Sequence, residues 1–411
     1  GEGSVTDNNL TAELLTGAFA VDYIQGSGVL VVNNTPEMEL DYTLTNDTFY
    51  VYFDEEGRIR EQIVADNLTF IGPFSNLVDK IIIDRPIDLL SDDARLIGLS
   101  IEILSDNVTV DGFDFHSGEL SEIICIDDAD NVSIKNSNFT IHGAEDMDNY
   151  VINIIDSDNA LVFNNAITFV ADTNGTYQNN VIHAYGSDNL NISENSIDAY
   201  LPPRSIDWTT GVVYSEAVCL DDCDNAFLAN NEIDATSWGD AMSEYDTIYS
   251  LCVSGDNATL LGNGIAVVDA PYGYGIVISG ENFEIAENEI YAGQNGTYAC
   301  GIEVDGPSNG VISKTSINVT GESAYGIYAA NWAGDVKINI TENLINSNGI
   351  TAFGMSLSAS EASVELNEIL LLDGNFTTGI ASAVDNILIN ENIINTNGSN
   401  VGTPAGYDTM G

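Results

Sequence analysis

Positive charge is almost missing from this sequence. Lysine and arginine number 9 in 411 residues against 64 aspartates and glutamates, giving a formal net charge of -55, and there are only three histidines. So anionic a chain repels phosphate backbones and acidic bilayers, which excludes nucleic acid and anionic membrane surfaces as partners. The acids are scattered among apolar residues rather than collected in runs, which excludes a disordered acidic tail. No run of 18 apolar residues occurs, so no segment reads as a membrane-spanning helix. The chain opens Gly1-Glu2-Gly3-Ser4, with neither an initiating methionine nor a signal-peptide pattern. The expectation is a processed or trimmed piece of a secreted precursor, extracellular and at the cell surface. Cysteine is scarce as well: the five are Cys125, Cys219, Cys223, Cys252 and Cys300, and none falls in a metal-spaced pair of pairs.

What the sequence has in abundance is a repeat. Gly275 to Ala292 alternates apolar and polar residues through a short strand, a Gly/Asn turn, a second strand, an Asn corner and a third strand. The second half of that unit, Asn-x-x-apolar-x-x-Asn-x-Ile, recurs at Asn159, Asn189, Asn225, Asn257 and Asn282. Degenerate copies start at Asn107, Asn131, Asn309, Lys337, Glu361 and Asn386. The mean step from 107 to 386 is about 28 residues, within the range of repeat architectures. The first half, Gly-apolar-x-apolar, returns at Gly301, Gly326, Gly354 and Gly379. Apolar spacing of two and β-branched residues exclude a helical solenoid. One unit cannot bury its own apolar face, but stacked units can. The reading is an all-β parallel β-helix solenoid with about three strands per rung. Residues 1–75 form an N-terminal arm and irregular β cap, 76–395 the β-helix, and 396–411 a C-terminal tail or the start of a further segment. Phe49 to Phe53 and Gly28 to Val32 read as strands in the cap, and Asp54 to Gly57 as a turn.

Stacking sets equivalent residues above one another. Asn165, Asn195, Asn231, Asn263 and Asn288, then Asn343, Asn367 and Asn392, are expected to form an inward amide ladder. Asp106, Asp130, Asp158, Asp188, Asp224 and Asp256, followed by Glu281, form a second ladder. Its carboxylates either close turns by bonding nearby N–H groups or bridge cations, calcium being the cofactor considered. Cys219 and Cys252 share a repeat position on successive rungs and are either disulfide-bonded or free apolar fillers. The two longest steps place inserts at residues 200–215 and 237–247, side by side in rung order. Their Tyr200, Arg204, Trp208, Tyr214, Trp238 and Tyr245 are glycan-binding candidates, or pack the bases of their own loops. About fifteen Asn-x-Ser/Thr sequons occur, with Asn174, Asn295, Asn375 and Asn397 as N-glycosylation candidates.

Residues 99–395 resemble the right-handed parallel β-helix repeat proteins, the pectate-lyase-like group. Within it, Ser105-Asp106-Asn107-Val108-Thr109-Val110-Asp111-Gly112-Phe113 and the Asn-rich rungs after it look like the adhesin-like surface proteins of methanogenic archaea. The fold hosts enzymes, adhesins and fibres alike. Cys219-Leu220-Asp221-Asp222-Cys223 is similar to the Asp-Asp-Cys segment of polygalacturonases, which makes Asp221 and Asp222 the catalytic alternative. The Gly-His-Gly and Arg-x-Lys motifs of those hydrolases do not occur, and His116, His142 and His183 lie in other contexts. The expected function is a surface adhesin or structural fibre subunit without catalytic activity. It would assemble head-to-tail with itself or meet other surface proteins or glycans. The alternatives are a polysaccharide hydrolase or lyase, and a non-catalytic glycan-binding module.

Overall fold

The computed structural model describes residues 4–6, 30–32 and 42–397, apart from 62, 64, 119, 146, 172–177, 203–214, 238–246, 294–295, 307, 331–335 and 373. Within these residues the chain winds into a parallel solenoid. The first sheet has twelve strands, from Lys80–Ile83 to Phe376–Ser382, each paired to its copy one rung on. A second system of 25 strands runs as two columns. They are joined where Asp88–Ile97 pairs with both Thr109–Asp111 and Asp114–Ser117. Inward residues of every column, alternate ones in the second system, stack into one apolar core, with Ile, Val, Leu and Phe predominating.

Left-handed backbone makes the corners. The first Asn of each rung has φ near +60°: Asn107, Asn131, Asn159, Asn189, Asn225, Asn257 and Asn282. Asn enters this region more readily than other side chains, because its short amide bonds locally to the main chain. A second corner precedes each inward Asn, or Ser137 and Thr315 in its place, and is also left-handed, at Asn136, Asn164, Glu194, Asn230, Gly262, Glu287, Lys314, Glu342, Leu366 and Glu391.

The inward amide ladder forms as expected. Asn165 Nδ2 donates to Asn195 Oδ1 at 3.0 Å, Asn195 to Asn231 at 3.0 Å, Asn231 to Asn263 at 2.9 Å and Asn263 to Asn288 at 2.9 Å. The main-chain N–H of each donor residue reaches the same Oδ1. Each Nδ2 also donates back to a carbonyl of the previous rung, as Asn231 does to Ile192 O at 2.8 Å. Thr315 interrupts the series, accepting from Asn288 N–H at 3.4 Å, and Asn343, Asn367 and Asn392 resume it. Buried amides so fully partnered hold the corner without a desolvation penalty.

The N-terminal end departs from expectation. Phe49–Tyr52 is a short α-helix, not a strand. Phe49, Tyr52 and Phe53 then fall on one helical face, the spacing of an amphipathic helix, and all are at most 1% exposed. Phe49 stacks on Phe53 with ring centroids 4.6 Å apart, and Phe53 meets Phe70 of the core at 6.2 Å. The turn Asp54 to Gly57 is present. The solenoid sheet already includes Tyr42–Leu44 and Asn67–Ser75, which pair in parallel, so covering and first rungs interleave ahead of residue 76. Leu30–Val32 is a strand, pairing with Ser4–Thr6.

Candidate functional site on the outer face of the first sheet

From Glu122–Asp127 onward, the strands of the first sheet carry two consecutive inward residues. In Ser215–Asp221 these are Ala217 and Val218, both 0% exposed, so Glu216 and Cys219 both face outward, three positions apart. The same spacing sets Glu122 with Cys125, Tyr150 with Asn153, Asn180 with His183, Tyr249 with Cys252 and Cys300 with Glu303 on the outer face. From Gly275 onward the inner kink position is glycine. A Cβ at Gly326 would collide with Ile345 Cγ2 and the Gly354 carbonyl oxygen, which explains the Gly-apolar-x-apolar signature.

These outward side chains form three groups. In the first, Asn153 Nδ2 donates to Glu122 Oε1 at 2.7 Å, and Asn153 Oδ1 meets His183 Nδ1 at 2.8 Å. An amide oxygen can only accept, so His183 carries its proton on Nδ1. Burial lowers the His183 pKa against the opposing pull of Asp221, and the Tyr150 ring lies 5.0 Å from the imidazole.

The second group is Glu216, Cys219 and Cys252. Cys219 and Cys252 are register partners on adjacent strands. One ligand atom from each of the three residues lies within 4.8 Å of the others, and no other such set of His, Cys, Asp or Glu occurs among the described residues. Glu216 is 7% exposed, and burial raises its carboxyl to about 7. Hydrogen bonding to Cys252, then burial, holds the Cys219 thiol well above the usual thiol range.

The third group is aromatic. Tyr249, Tyr274, Tyr298, Tyr325 and Phe353 sit on five successive rungs, with ring centroids 4.9, 5.4, 5.2 and 4.9 Å apart along the row. Tyr272 stacks on Tyr298 at 5.5 Å. The four tyrosines of the row are half-buried, each keeping part of its surface open. Glu303 stands beside them, its carboxyl raised to about 7 by burial and then by Asp305.

The residues singled out from sequence fare unequally. Asp130 N–H donates to Asp106 Oδ1 at 2.9 Å, and the pattern repeats at Asp158, Asp188, Asp224, Asp256 and Glu281, at 2.7 to 2.9 Å. The carboxylates therefore bond to the next rung rather than closing their own turns. The ionised acceptor strengthens each such bond and offsets the roughly 1 kcal/mol repulsion between stacked charges in water. No three carboxylates of this ladder converge as calcium ligands would. Asp221 ends its strand and Asp222 occupies a left-handed corner at φ 54°, and both are solvent-exposed. Cys219 and Cys252 are free thiols here. Tyr200 is 40% exposed at the end of a strand. Arg204, Trp208, Tyr214, Trp238 and Tyr245 lie outside the described residues, as do Asn174 and Asn295. Asn375 and Asn397 are exposed. The sequence reading missed Glu216, Glu303 and the tyrosine row. The signal for Glu216, Glu303 and the row apart from Tyr298 is the outward spacing of three; Tyr298 stands two residues before the outward Cys300.

Residues 180–369 match the family model described as the right handed beta helix region. The chain is a right-handed parallel β-helix. Several solved structures are similar to this β-helix. The periplasmic alginate epimerase AlgG is 12% identical, with a TM-score of 0.46 over 86% of this chain and 84% of that one. PfbA, a surface adhesin of Streptococcus pneumoniae, is 13% identical, with a TM-score of 0.45 over 84% and 89%. The A-module of the Azotobacter vinelandii mannuronan C-5 epimerase AlgE6 is 13% identical, with a TM-score of 0.37 over 81% and 88%. At such identities none of their activities transfers to this β-helix. No curated protein matches its sequence. No helix among the described residues is long and apolar enough to cross a membrane.

Proposed function

We propose that this β-helix is a non-catalytic surface protein of the adhesin type that holds a neutral polysaccharide along the outer face of its first sheet. The observation that carries the reading is the aromatic row from Tyr249 to Phe353. Stacked rungs rise by about 4.8 Å each, so the row extends for about 19 Å, enough to underlie several sugar units. The rings turn their faces toward one another along the row, so a sugar chain lying over them meets ring edges and tyrosine hydroxyls, which suit sugar hydroxyls. Glu303 adds a hydrogen-bonding group beside the row. The net charge of -55 disfavours uronate polymers and so selects uncharged ones.

Affinity electrophoresis against neutral and acidic polysaccharides tests this. The expected result is retardation by a neutral polymer, weakened at least about tenfold in both Tyr274→Ala and Tyr298→Ala, with folding checked by circular dichroism. Binding untouched by both substitutions would remove the reading. Release of new reducing ends, lost in Asp221→Asn or Asp222→Asn, would replace it with hydrolysis.

A further inference from the structure

We propose that Glu216, Cys219 and Cys252 form a binding site for a thiophilic divalent cation, with zinc as the first candidate. The backbone builds the site. Ala217 and Val218 both turn inward, so Glu216 and Cys219 leave the same strand on the outer face, and the sheet register sets Cys252 directly against Cys219. The three ligand atoms already lie within 4.8 Å of one another. In a tetrahedral site with Zn–S near 2.3 Å and Zn–O near 2.0 to 2.2 Å, ligand atoms stand about 3.5 to 3.8 Å apart. Side-chain rotations of under an ångström or so therefore close the set, with no backbone movement.

Burial makes the arrangement unusual. Two thiols alone would serve as small apolar fillers, but Glu216 is 7% exposed, and an ionised carboxylate there is costly without a cation. Two thiolates and a carboxylate are zinc chemistry, whereas hard calcium takes oxygen ligands and does not suit this set. Binding displaces the protons of Glu216, Cys219 and Cys252 to solvent, so it strengthens as pH rises. The fourth position falls to water.

The test is titration of the reduced full chain with Co²⁺, followed by competition with Zn²⁺. The expected result is one equivalent bound with a thiolate-to-cobalt absorption band, displaced by zinc. The band should be lost in Cys252→Ser and in Cys219→Ser, and affinity should fall more than about tenfold in Glu216→Gln. Cys223→Ser, outside the set, should leave it unchanged. In the unmutated protein, zinc should protect Cys219 and Cys252 from alkylation, a readout that needs no variant to fold. The proposal is overturned if the reduced protein binds no Co²⁺, or if the band survives in Cys252→Ser. It is equally overturned if the unreduced protein, as isolated, carries a Cys219–Cys252 disulfide, because an oxidised pair has no thiolate to offer.

Discussion

The N-terminal cap and the last described rung hold the same kind of residue in opposite surroundings. At the N-terminal end Phe49, Tyr52 and Phe53 close over the core, and every one is at most 1% exposed. Arg60 Nε ties the closure down by donating to Tyr50 O and Phe53 O at 2.9 and 3.0 Å. In the last described rung, Ile394 is 45% exposed, whereas its register partner Ile369 is fully buried. Ile389 and Val364 differ in the same way. The residues and their orientation hardly change between those rungs. Burial in this fold therefore belongs to the neighbour: a rung is covered by the next rung or by a dedicated cap, and the stability of each rung is set by what stacks on it.

The comparison is broken most directly at the sealed end. Phe53→Ala removes a ring wedged between Phe49 and Phe70 and should destabilise the N-terminal rungs by about 3–5 kcal/mol. Hydrogen exchange resolved along the chain should show the N-terminal amides losing protection to the level of the last described rung. A loss below about 1 kcal/mol would mean that the aromatic cap does not hold that end.

The amide ladder sharpens the comparison. Asn231→Ala strips the acceptor from both donors of Asn195 and leaves Ile192 O without its partner, all buried, for a loss of roughly 3 kcal/mol. Asn392→Ala, at the part-buried end of the same ladder, should cost about 1 kcal/mol. Equal effects in urea unfolding would show that position along the helix axis does not matter.

Glu303 links the comparison to pH. Its carboxyl is raised from 4.5 to about 7, chiefly by burial, so between those values the folded state binds the proton more tightly than the unfolded one. Stability from this group is full below about pH 4.5 and is lost as pH rises through 7. Raising the pH from 5 to 8 should loosen the rungs around Glu303 by up to about 2 kcal/mol while sparing the N-terminal cap, and Glu303→Gln should flatten that slope. The smallest effect is expected at Leu366, a bulky residue held at φ 57° where three earlier rungs use Asn, at 136, 164 and 230. Leu366→Asn should raise the midpoint of the C-terminal rungs by about 1 kcal/mol or less.

The rungs were legible because their signals are local and repeated. Period two marks the strands, and the Asn spacing marks the corner ladder and the gap between Asn288 and Asn343. The Asp ladder was visible as a column, but its hydrogen bonds were not, since a short-range motif cannot distinguish an N–H in the same turn from one a rung away. The cap was misread because Phe49, Tyr52 and Phe53 are good strand formers. Only their spacing of three and four points to a helix, and over so short a segment tertiary packing decides. The outer-face groups were hidden for another reason. Alternation predicts which residues point outward but not that an outward Glu216 will be buried, and the doubled inward pair at Ala217 and Val218 shifts the outward positions to a spacing of three.

The hydrogen-bond ladders also have a direction. At the Asn corner every bond to a neighbouring Asn Oδ1 is donated toward the C-terminal end, Asn195 to Asn231 and Asn231 to Asn263. At the Asp corner the N–H of each Asp looks back to the carboxylate of the previous rung, Asp224 to Asp188 and Asp256 to Asp224. Each finished rung thus offers the incoming one two amide hydrogens at one corner and a carboxylate oxygen at another. A rung in the wrong register, or running the opposite way, would meet donor with donor and acceptor with acceptor. The exposed edge acts as a template that proofreads what is laid on it. A chain delivered N-terminus first can close its aromatic cap and then add its coils vectorially, each one copied in polarity from the last.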